Sequence, residues 1–324
     1  RGQPYDPFSL TFADSVSRLA GNHLAKFGAD VRLIRMKTDR LGGITYTFPN
    51  LTAFLANTPS AIQYLGDVSA PSVFNNGATG PRNTRQAYYV AFAQDEWHVT
   101  PKVTLNYGLR YDYYTPLTEK NDLIVKFNID TGKIDPSTTA LYASKKNNFQ
   151  PRVSMTYAPG KTVLRGGFGV FVGPGQTEDQ IQPIEAERIS TTLSAGAPGA
   201  SYPVDPNVIR ANFINNPNNR SYQPRAYANE YTLPERVYQY TLSVQRELPG
   251  NMAATVAYVG SQGRNLFLRG ITNKITSVAT NPTTGAAIIP RECGDRFAEI
   301  DFKTSGGSDS DSALQRTLNR RMTN

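Results

Sequence analysis

The stretch from Arg85 to Tyr114, RQAYYVAFAQDEWHVTPKVTLNYGLRYDYY, has the clearest pattern in the sequence, that of two long β-strands joined by a very short turn. From Val103 to Tyr114, apolar or aromatic residues alternate without a break with mostly polar ones. A period of two is what a β-strand imposes on its two faces. The stretch therefore predicts an antiparallel hairpin with one apolar, tyrosine-rich face and one polar face.

The composition of the apolar face bears on the solvent that it meets. In a soluble sandwich this face would be filled by Val, Ile and Leu, whereas here half of it is tyrosine. A strand of about 9 to 11 residues that is apolar outward and polar inward also meets the requirements of a transmembrane β-barrel. Trp97, the single tryptophan, lies just before the turn Thr100–Lys102, where an interfacial aromatic girdle is expected. This hairpin alone leaves both architectures open.

Composition argues against transmembrane helices, a nucleic-acid partner and an internal disulfide. The 324 residues are 39% hydrophobic with a mean hydropathy of -0.43, and no run of 18 apolar residues predicts a transmembrane helix. The net charge of +8 is scattered, with no basic run beyond Lys145–Lys146 and Arg320–Arg321, so we expect no nucleic-acid partner. A lone Cys293 excludes an internal disulfide. The first residues have no signal-peptide pattern, and we expect a fragment or a processed chain.

Other segments repeat the pattern of the hairpin. His23–Met36 alternates well and places charged residues on one face, which a soluble core would not accept without pairing. Phe12–Leu19 fits a strand or a short helix. Two more hairpins are predicted, with strands at Phe149–Tyr157, Thr162–Val172, Val237–Leu248 and from Met252 to Tyr258, and a partial strand ends the chain.

The lengths of the connections favour the barrel. Turns near residues 21, 101, 160 and 250 are very short, whereas the other connections are long loops at approximately 37–84, 115–148, 173–236 and 262–311. Short turns on one side and long loops on the other are typical of an outer-membrane barrel with periplasmic turns and extracellular loops. We therefore predict an all-β fold, an antiparallel transmembrane β-barrel in one domain over 1–324. It is partial, with about nine strands where plugged transporters have 22.

Several phrases in fixed order resemble the barrel of TonB-dependent outer-membrane receptors, and most closely the Oar-like branch with its carboxypeptidase-regulatory-like domain. They are HLAKFGADVRLIRM, YYVAFAQDEWHVTPKVTLNYGLRYDYYTPLTEKND, NNFQPRVSMTYAPGKTVLRGGFGVFV, VYQYTLSVQRELPGNMAATVAYVGSQGRNLF and SALQRTLNRR. The resemblance implies a barrel of 22 strands, an internal plug and energised transport through a TonB box. This sequence shows no plug, TonB box or closing strand with a terminal aromatic. Contact with the TonB complex would therefore use segments absent here.

The barrel assigns each strand residue to lipid or to the lumen. We expect outer-membrane lipid to contact Phe27, Val31, Leu33, Tyr88, Val90, Phe92, Val103, Leu105, Tyr107, Leu109, Tyr111, Leu242, Val244, Val256 and Tyr258. We expect the lumen or plug to contact Lys26, Asp30, Arg32, Asn106, Arg110, Asp112 and Gln239. Candidate contacts to an unknown extracellular substrate are the loop residues Tyr202, Tyr222, Tyr227 and Tyr231, with loop packing as the alternative.

Motifs for catalysis and cofactors are weak. Gly167 and Gly169, followed by Gly173 and Gly175, do not have the spacing of a dinucleotide fingerprint, and no helix pattern follows. His98 has Glu96 on the same strand face, but neither it nor His23 has a third ligand that the sequence can name. The acid pairs Asp95–Glu96 and Asp130 with Asp135 fit solvated strand and turn positions. We expect no catalytic, cofactor or metal site.

The function predicted is that of part of an outer-membrane TonB-dependent receptor or transporter, for uptake or export of an unknown substrate. The alternative is a surface structural or adhesive β-rich protein without transport. A soluble β-sandwich that acts as a binding module is a third hypothesis.

Overall fold

A computed structural model describes residues 5–38, 43–65, 81–123, 126–174, 188–215, 220–223, 226–283, 287–288, 290–294 and 297–320. The strands are β1 (Tyr5–Ala20), β2 (His23–Thr38), β3 (Gly43–Thr47), β4 (Ala61–Leu65), β5 (Arg82–Thr100), β6 (Val103–Tyr114), β7 (Thr118–Glu119), β8 (Phe127–Asn128), β9 (Lys133–Ile134), β10 (Ala143–Ser144), β11 (Phe149–Tyr157), β12 (Thr162–Gly173), β13 (Arg188–Ser194), β14 (Arg220–Gln223), β15 (Ala226–Tyr227), β16 (Thr232–Leu233), β17 (Glu235–Leu248), β18 (Met252–Thr272), β19 (Ala279–Thr280), β20 (Ala287–Ile288) and β21 (Ile300–Arg320). Two helices, α1 (Leu51–Leu55) and α2 (Pro206–Asn215), lie in the connections.

Nine long strands form one sheet in the order β1-β2-β5-β6-β11-β12-β17-β18-β21, and each pairs antiparallel with the next long strand in the chain. Four very short turns join them in pairs, and glycines in the left-handed region, at Gly21, Gly160 and Gly250, occupy three of these turns. The predicted antiparallel architecture with about nine strands is confirmed. Phe12–Leu19 is a strand, so the helical alternative for it is wrong.

The long connections all lie at the other end of the sheet and span 39–81, 115–148, 174–234 and 273–299. The predicted loop 262–311 is too long, because β18 continues to Thr272 and β21 already begins at Ile300. Register shifts beside Leu266 interrupt the alternation there, which hides the ends of both strands from a period-two pattern.

The sheet is strongly curled, so that it has a concave and a convex face. In antiparallel pairing, residues that stand opposite each other point to the same side, so the register assigns each paired residue of the nine strands to one of the two faces. One cavity of about 780 Å³ is lined by residues of all nine strands, including Ser17 of β1 and Asp311 of β21 at the two edges of the sheet. The concave face is the one toward this cavity.

Large apolar side chains cover the convex face and are solvent-exposed in every strand of the sheet. Phe12 is 61% exposed in β1, Leu242 is 62% exposed in β17 and Leu318 is 64% exposed in β21. A soluble protein seldom exposes a continuous apolar surface of this extent.

The long connections carry folded structure of their own. β14, β13, β4 and β3 form a small sheet with a core that includes Ile62, Leu193 and Ile209. Asn50 caps the short helix α1, because its side chain accepts a hydrogen bond from the Ala53 amide at 2.8 Å. No helix within the described residues combines the length and the apolar composition that a membrane crossing requires.

Candidate functional site

The concave face forms the candidate site, because polar and charged side chains converge there on the cavity. Lys26, Asn106, Arg110 and Gln239, all predicted to face a lumen, line this cavity. The register places the other three predicted lumen residues, Asp30, Arg32 and Asp112, on the same face. All seven therefore share the side of the sheet opposite the exposed apolar surface.

One polar cluster is centred on a buried carboxylate. Asp112 is 2% exposed, and Arg110 Nε lies 2.8 Å from Asp112 Oδ1. The Tyr114 hydroxyl donates to Asp112 Oδ2 at 2.8 Å. Every second residue of β6 contributes to this cluster, because alternate residues of a strand lie on one face. The ion pair and the hydrogen bond together fix the direction of the Arg110 guanidinium.

Strand β11 adds a second polar cluster that the sequence analysis missed. The Gln150 side chain is 2% exposed, and its Oε1 accepts a hydrogen bond from the Val172 amide at 3.2 Å. Arg152 donates to the same oxygen at 3.4 Å, and its guanidinium carbon lies 4.3 Å from the centre of the Phe171 ring. Both residues line the cavity beside Arg110. The signal was available in the sequence, since Gln150 and Arg152 alternate with Phe149, Pro151 and Val153.

The predicted lipid-facing residues divide between the two faces. Twelve share the convex face, namely Phe27, Val31, Leu33, Val103, Leu105, Tyr107, Leu109, Tyr111, Leu242, Val244, Val256 and Tyr258.

The prediction is wrong for the other three lipid-facing candidates. Tyr88, Val90 and Phe92 pair with Arg32, Asp30 and Gly28, and therefore lie on the concave face. The cause is a β-bulge: His98 pairs with Thr104 but Thr100 pairs with Val103, so Val99 is an extra residue. One extra residue exchanges the two faces of the remaining strand.

A polar group also lies on the convex face, near the short turns. His23 Nδ1 lies 2.6 Å from Asp95 Oδ2, which also accepts a hydrogen bond from the Tyr107 hydroxyl at 2.8 Å. The Trp97 ring stacks on His23 with 5.2 Å between ring centres. Trp97 thus lies at the end of the sheet where an interfacial aromatic residue was expected.

Candidate metal ligands do not assemble into a centre. His98 Nε2 lies 3.1 Å from Glu96 Oε1, as the shared strand face predicts. In the part of the chain that the structure describes, no three His, Cys, Asp or Glu side chains are grouped so as to hold a metal ion.

The long connections pack into a loop cap, which we define as the cluster Leu117, Leu141, Tyr142, Tyr227, Tyr231 and Leu233. Met36 of β2 and Phe267 of β18 both pack against it. These two strands are six positions apart in the sheet, about 29 Å along its surface at the usual strand spacing. One cluster can contact both only by bridging the curled sheet at its long-loop end.

Hydrogen bonds continue this bridge across the sheet. The Ser144 hydroxyl donates to the Tyr114 carbonyl of β6, and β10 pairs with β16. The Thr232 amide in β16 donates to Ser305 Oγ of β21 at 2.8 Å. The loop cap and these hydrogen bonds therefore connect strands that lie far apart in the sheet, at its long-loop end.

Three tyrosines at the centre of the loop cap are packed together and buried. Tyr142, Tyr227 and Tyr231 have ring centres 4.8 to 5.2 Å apart. The Tyr142 hydroxyl accepts a hydrogen bond from the Leu117 amide at 3.1 Å. Burial raises the pKa of Tyr142 and Tyr227 well above the usual range of tyrosine.

The loop tyrosines predicted to contact a substrate have different surroundings. Tyr227 and Tyr231 are 1% and 2% exposed and pack the loop cap, so the predicted ligand contact is wrong for them and the packing alternative holds. Tyr202 is 57% exposed and packs edge-on against Tyr46. Tyr222 belongs to β14, and its side chain lies outside the described part of the structure.

Solved structures with a similar arrangement of strands include several outer-membrane proteins. The outer membrane transporter YddB from Escherichia coli is 13% identical with a TM-score of 0.49, and the match covers 98% of this chain and 30% of that one. The siderophore receptor PirA from Pseudomonas aeruginosa is 12% identical with a TM-score of 0.41, covering 98% of this chain and 47% of that one. The chain therefore spans less than half the length of either protein.

A third similar structure is the Serratia marcescens hemophore receptor HasR, solved with its hemophore HasA and heme. It is 14% identical with a TM-score of 0.35, and the match covers 98% of this chain and 46% of that one. None of the curated proteins compared with the sequence matches it.

Family membership follows from a match to nearly the whole sequence. The family model described as outer membrane beta barrel domain matches residues 2–324. This match confirms the predicted transmembrane β-barrel fold and the predicted location in an outer membrane of the Gram-negative type. The chain belongs to the outer membrane beta-barrel domain family.

Proposed function

We propose that this chain forms part of the barrel of a TonB-dependent outer-membrane receptor of the Oar-like branch, which takes up or exports a solute. The observation that carries the proposal is the cavity of about 780 Å³, which is lined by residues of all nine strands and includes charged and polar side chains of the concave face. A polar cavity enclosed by a curled transmembrane sheet suits a transporter of a polar solute. The ordered sequence phrases from HLAKFGADVRLIRM to SALQRTLNRR supply the link to TonB.

The two faces of the sheet have distinct proposed environments. The convex face, with its exposed Phe, Leu, Val and Tyr side chains, would contact lipid acyl chains. The shortest of the nine strands, β11, has 9 residues, which is about the length that a tilted strand needs to cross the hydrocarbon core. The seven charged and polar residues predicted for the lumen would then meet water or a plug.

The experiment that tests this function uses the protein as cells make it. The full-length polypeptide is extracted from outer membranes, its ends are determined by mass spectrometry, and its binding to the purified periplasmic domain of TonB is measured. We expect a plug and a TonB box in the polypeptide and saturable binding that a peptide of the TonB-box sequence competes away. A full-length polypeptide with neither segment and no binding would overturn the proposal.

A surface structural or adhesive role is the second candidate, and one observation favours it. Leu51, Phe54 and Leu55 of α1, which lies in the long connection between β2 and β5, are 57% to 76% exposed. No charged residue occurs from Ile44 to Leu65. If cells that express a Phe54→Ser variant lost adhesion while uptake never depended on TonB, this second function would replace the first.

A further inference from the structure

We propose that Arg110, Gln150 and Arg152 form a binding subsite on the concave face for an oxyanion, a carboxylate or phosphate group, of a solute within the cavity. The proposal deepens the transport function by naming the substrate as anionic, and it rests on that function only for how the solute arrives. The subsite is argued from the charges, the hydrogen bonds and the position of these three side chains.

The charges of the cluster do not balance. Arg110 is paired with Asp112, whose carboxylate lies at 2.8 Å. Arg152 has no acidic partner within 4.0 Å among the residues that the structure describes, and instead lies over the Phe171 ring. Two guanidinium groups and one carboxylate leave one excess positive charge on this wall. An anion is the ligand that such a wall attracts.

The two arginines are close enough to share one ligand. Arg152 pairs with Gly108 of β6, and Gly108 lies two residues from Arg110 on the same face. Diagonal neighbours of this kind have Cα atoms about 7 to 8 Å apart. Planar guanidinium forks at this separation can both reach the oxygens of one carboxylate or phosphate.

Gln150 adds a hydrogen-bond donor next to both arginines, because it stands opposite Arg110 and two residues before Arg152 on the same face. Its Oε1 is engaged by the Val172 amide at 3.2 Å, which fixes the orientation of the side-chain amide. Its Nε2 is buried and has no acceptor within the described part of the chain. A buried donor without an acceptor is unfavourable, and an oxyanion would supply the missing acceptor.

The cavity is also lined by three acidic residues, Asp95, Glu96 and Asp311, which lie elsewhere on its wall. Asp95 stands opposite Tyr107 and so belongs to the convex face. Glu96 pairs with Asn106, four residues along β6 from Arg110 and thus about 13 Å away. Asp311 belongs to β21 at the edge of the sheet. The excess positive charge is therefore local to β6 and β11.

The test is a titration of the full-length protein in detergent with inorganic phosphate and, separately, with citrate, by isothermal calorimetry at low salt. We expect at least one of the two anions to bind with one site per chain. Arg152→Gln should weaken this binding at least tenfold. Gln150→Glu should abolish it, because the new carboxylate has nearly the same volume, still accepts from the Val172 amide and neutralises Arg152.

The matched control is Arg165→Gln, which removes a guanidinium on the same face that donates to Gln245 at 2.9 Å and does not line the cavity. Its binding should equal that of the unsubstituted protein. Binding of phosphate alone or citrate alone would support the subsite and narrow its class. The proposal is overturned if neither anion binds, or if all three variants lose binding equally.

Calorimetry in detergent requires no energy coupling. A failure of TonB-dependent uptake would therefore not alter the binding result, and a failure of anion binding would leave the transport proposal standing. Each variant is checked for heat-modifiable migration in gels, which reports the folded barrel.

Discussion

The ring of Phe92 occupies the space that a side chain at Gly28 would fill: a Cβ built on Gly28 would lie 2.5 Å from ring atoms Cε1 and Cζ. Both residues lie on the concave face, paired across β2 and β5. An aromatic ring that covers a glycine on the neighbouring strand is a known means of pinning register and curvature in a sheet.

The first prediction concerns this pair. Gly28→Ala should destabilise the barrel by about 1 to 3 kcal/mol, because the new methyl group would overlap the ring and also approach the Asp14 carbonyl oxygen at 2.9 Å. Urea unfolding in lipid vesicles measures the loss. Gly173→Ala is the control, since no atom lies within 4 Å of its Cβ position. Equal stability of the two variants would contradict the packing described here.

A second prediction tests which face meets lipid, with two neighbouring residues at the middle of β17. Leu242 is 62% exposed on the convex face, and Thr241 lines the cavity on the concave face. Leu242→Arg should reduce the free energy of unfolding in vesicles by about 2 to 4 kcal/mol, because it places a charge near the bilayer midplane. Thr241→Arg should change it far less. If both substitutions were tolerated alike, the proposed lipid contact of the convex face would be wrong.

The third prediction tests the exchange of faces in β5. With Cys293, the only native cysteine, replaced by serine, single cysteines are introduced as Phe92→Cys or Ala93→Cys. A small water-soluble maleimide should label the cysteine at 92, which faces the polar cavity, and leave the one at 93 unlabelled, because maleimides react with the thiolate and a thiol in lipid stays protonated. Mass spectrometry of the protein quantifies the label. Labelling at 93 rather than 92 would show that the bulge at Val99 does not form.

A fourth prediction follows from the buried tyrosines of the loop cap. Tyrosine in an opened loop ionises with a pKa near 10.0, whereas burial raises the pKa of Tyr142 and Tyr227 above that value. The packed cap therefore has its full stability below about pH 10. Above it, stability should fall by about 1.4 kcal/mol per pH unit for each of the two tyrosines, because only the opened state ionises.

Limited proteolysis of the long loops at pH 9 and pH 11 measures this opening. Tyr142→Phe removes one ionisable group, so its loops should open less steeply with pH than those of the unsubstituted protein. The same variant should be less stable at pH 9 by about 1 to 3 kcal/mol, because the buried Leu117 amide loses its acceptor. A pH dependence identical to that of the unsubstituted protein would contradict the role of Tyr142.

The sequence predicts the architecture because period two and turn length are local properties. The strand Phe149–Tyr157 and the connection 115–148 have the predicted bounds, since uninterrupted alternation marks both strands that flank the loop. A β-bulge is harder to predict from the sequence than a strand or a turn. Val99 lies in an ordinary Val-Thr-Pro sequence, and the even-numbered residues Tyr88, Val90 and Phe92 are more hydrophobic than Tyr89, Ala91 and Ala93. Only pairing with β2 and β6 decides which set is convex.

The candidate site was predictable in part. Arg110 and Asp112 follow directly from the alternation in β6. Two further contacts, of Arg152 with Phe171 and of Gln150 with Val172, join β11 to β12. They depend on how these two strands diverge beyond the pair Arg152–Gly169, where their hydrogen-bonded ladder ends. The packing of Tyr142 against Tyr227 depends on two loops distant in sequence, and neither loop has a period that indicates a partner.

The loop cap has a mechanical consequence for the curled sheet. It ties β2 to β18 at one end only, and at the other end adjacent strands are joined in pairs by four short turns. If the loop cap detached, β2 and β18 would be free to move apart at the long-loop end of the sheet. The short turns would still hold the strands together in pairs at the other end. Contacts within the long connections, rather than within the paired strands, then limit how far β2 and β18 can separate at that end.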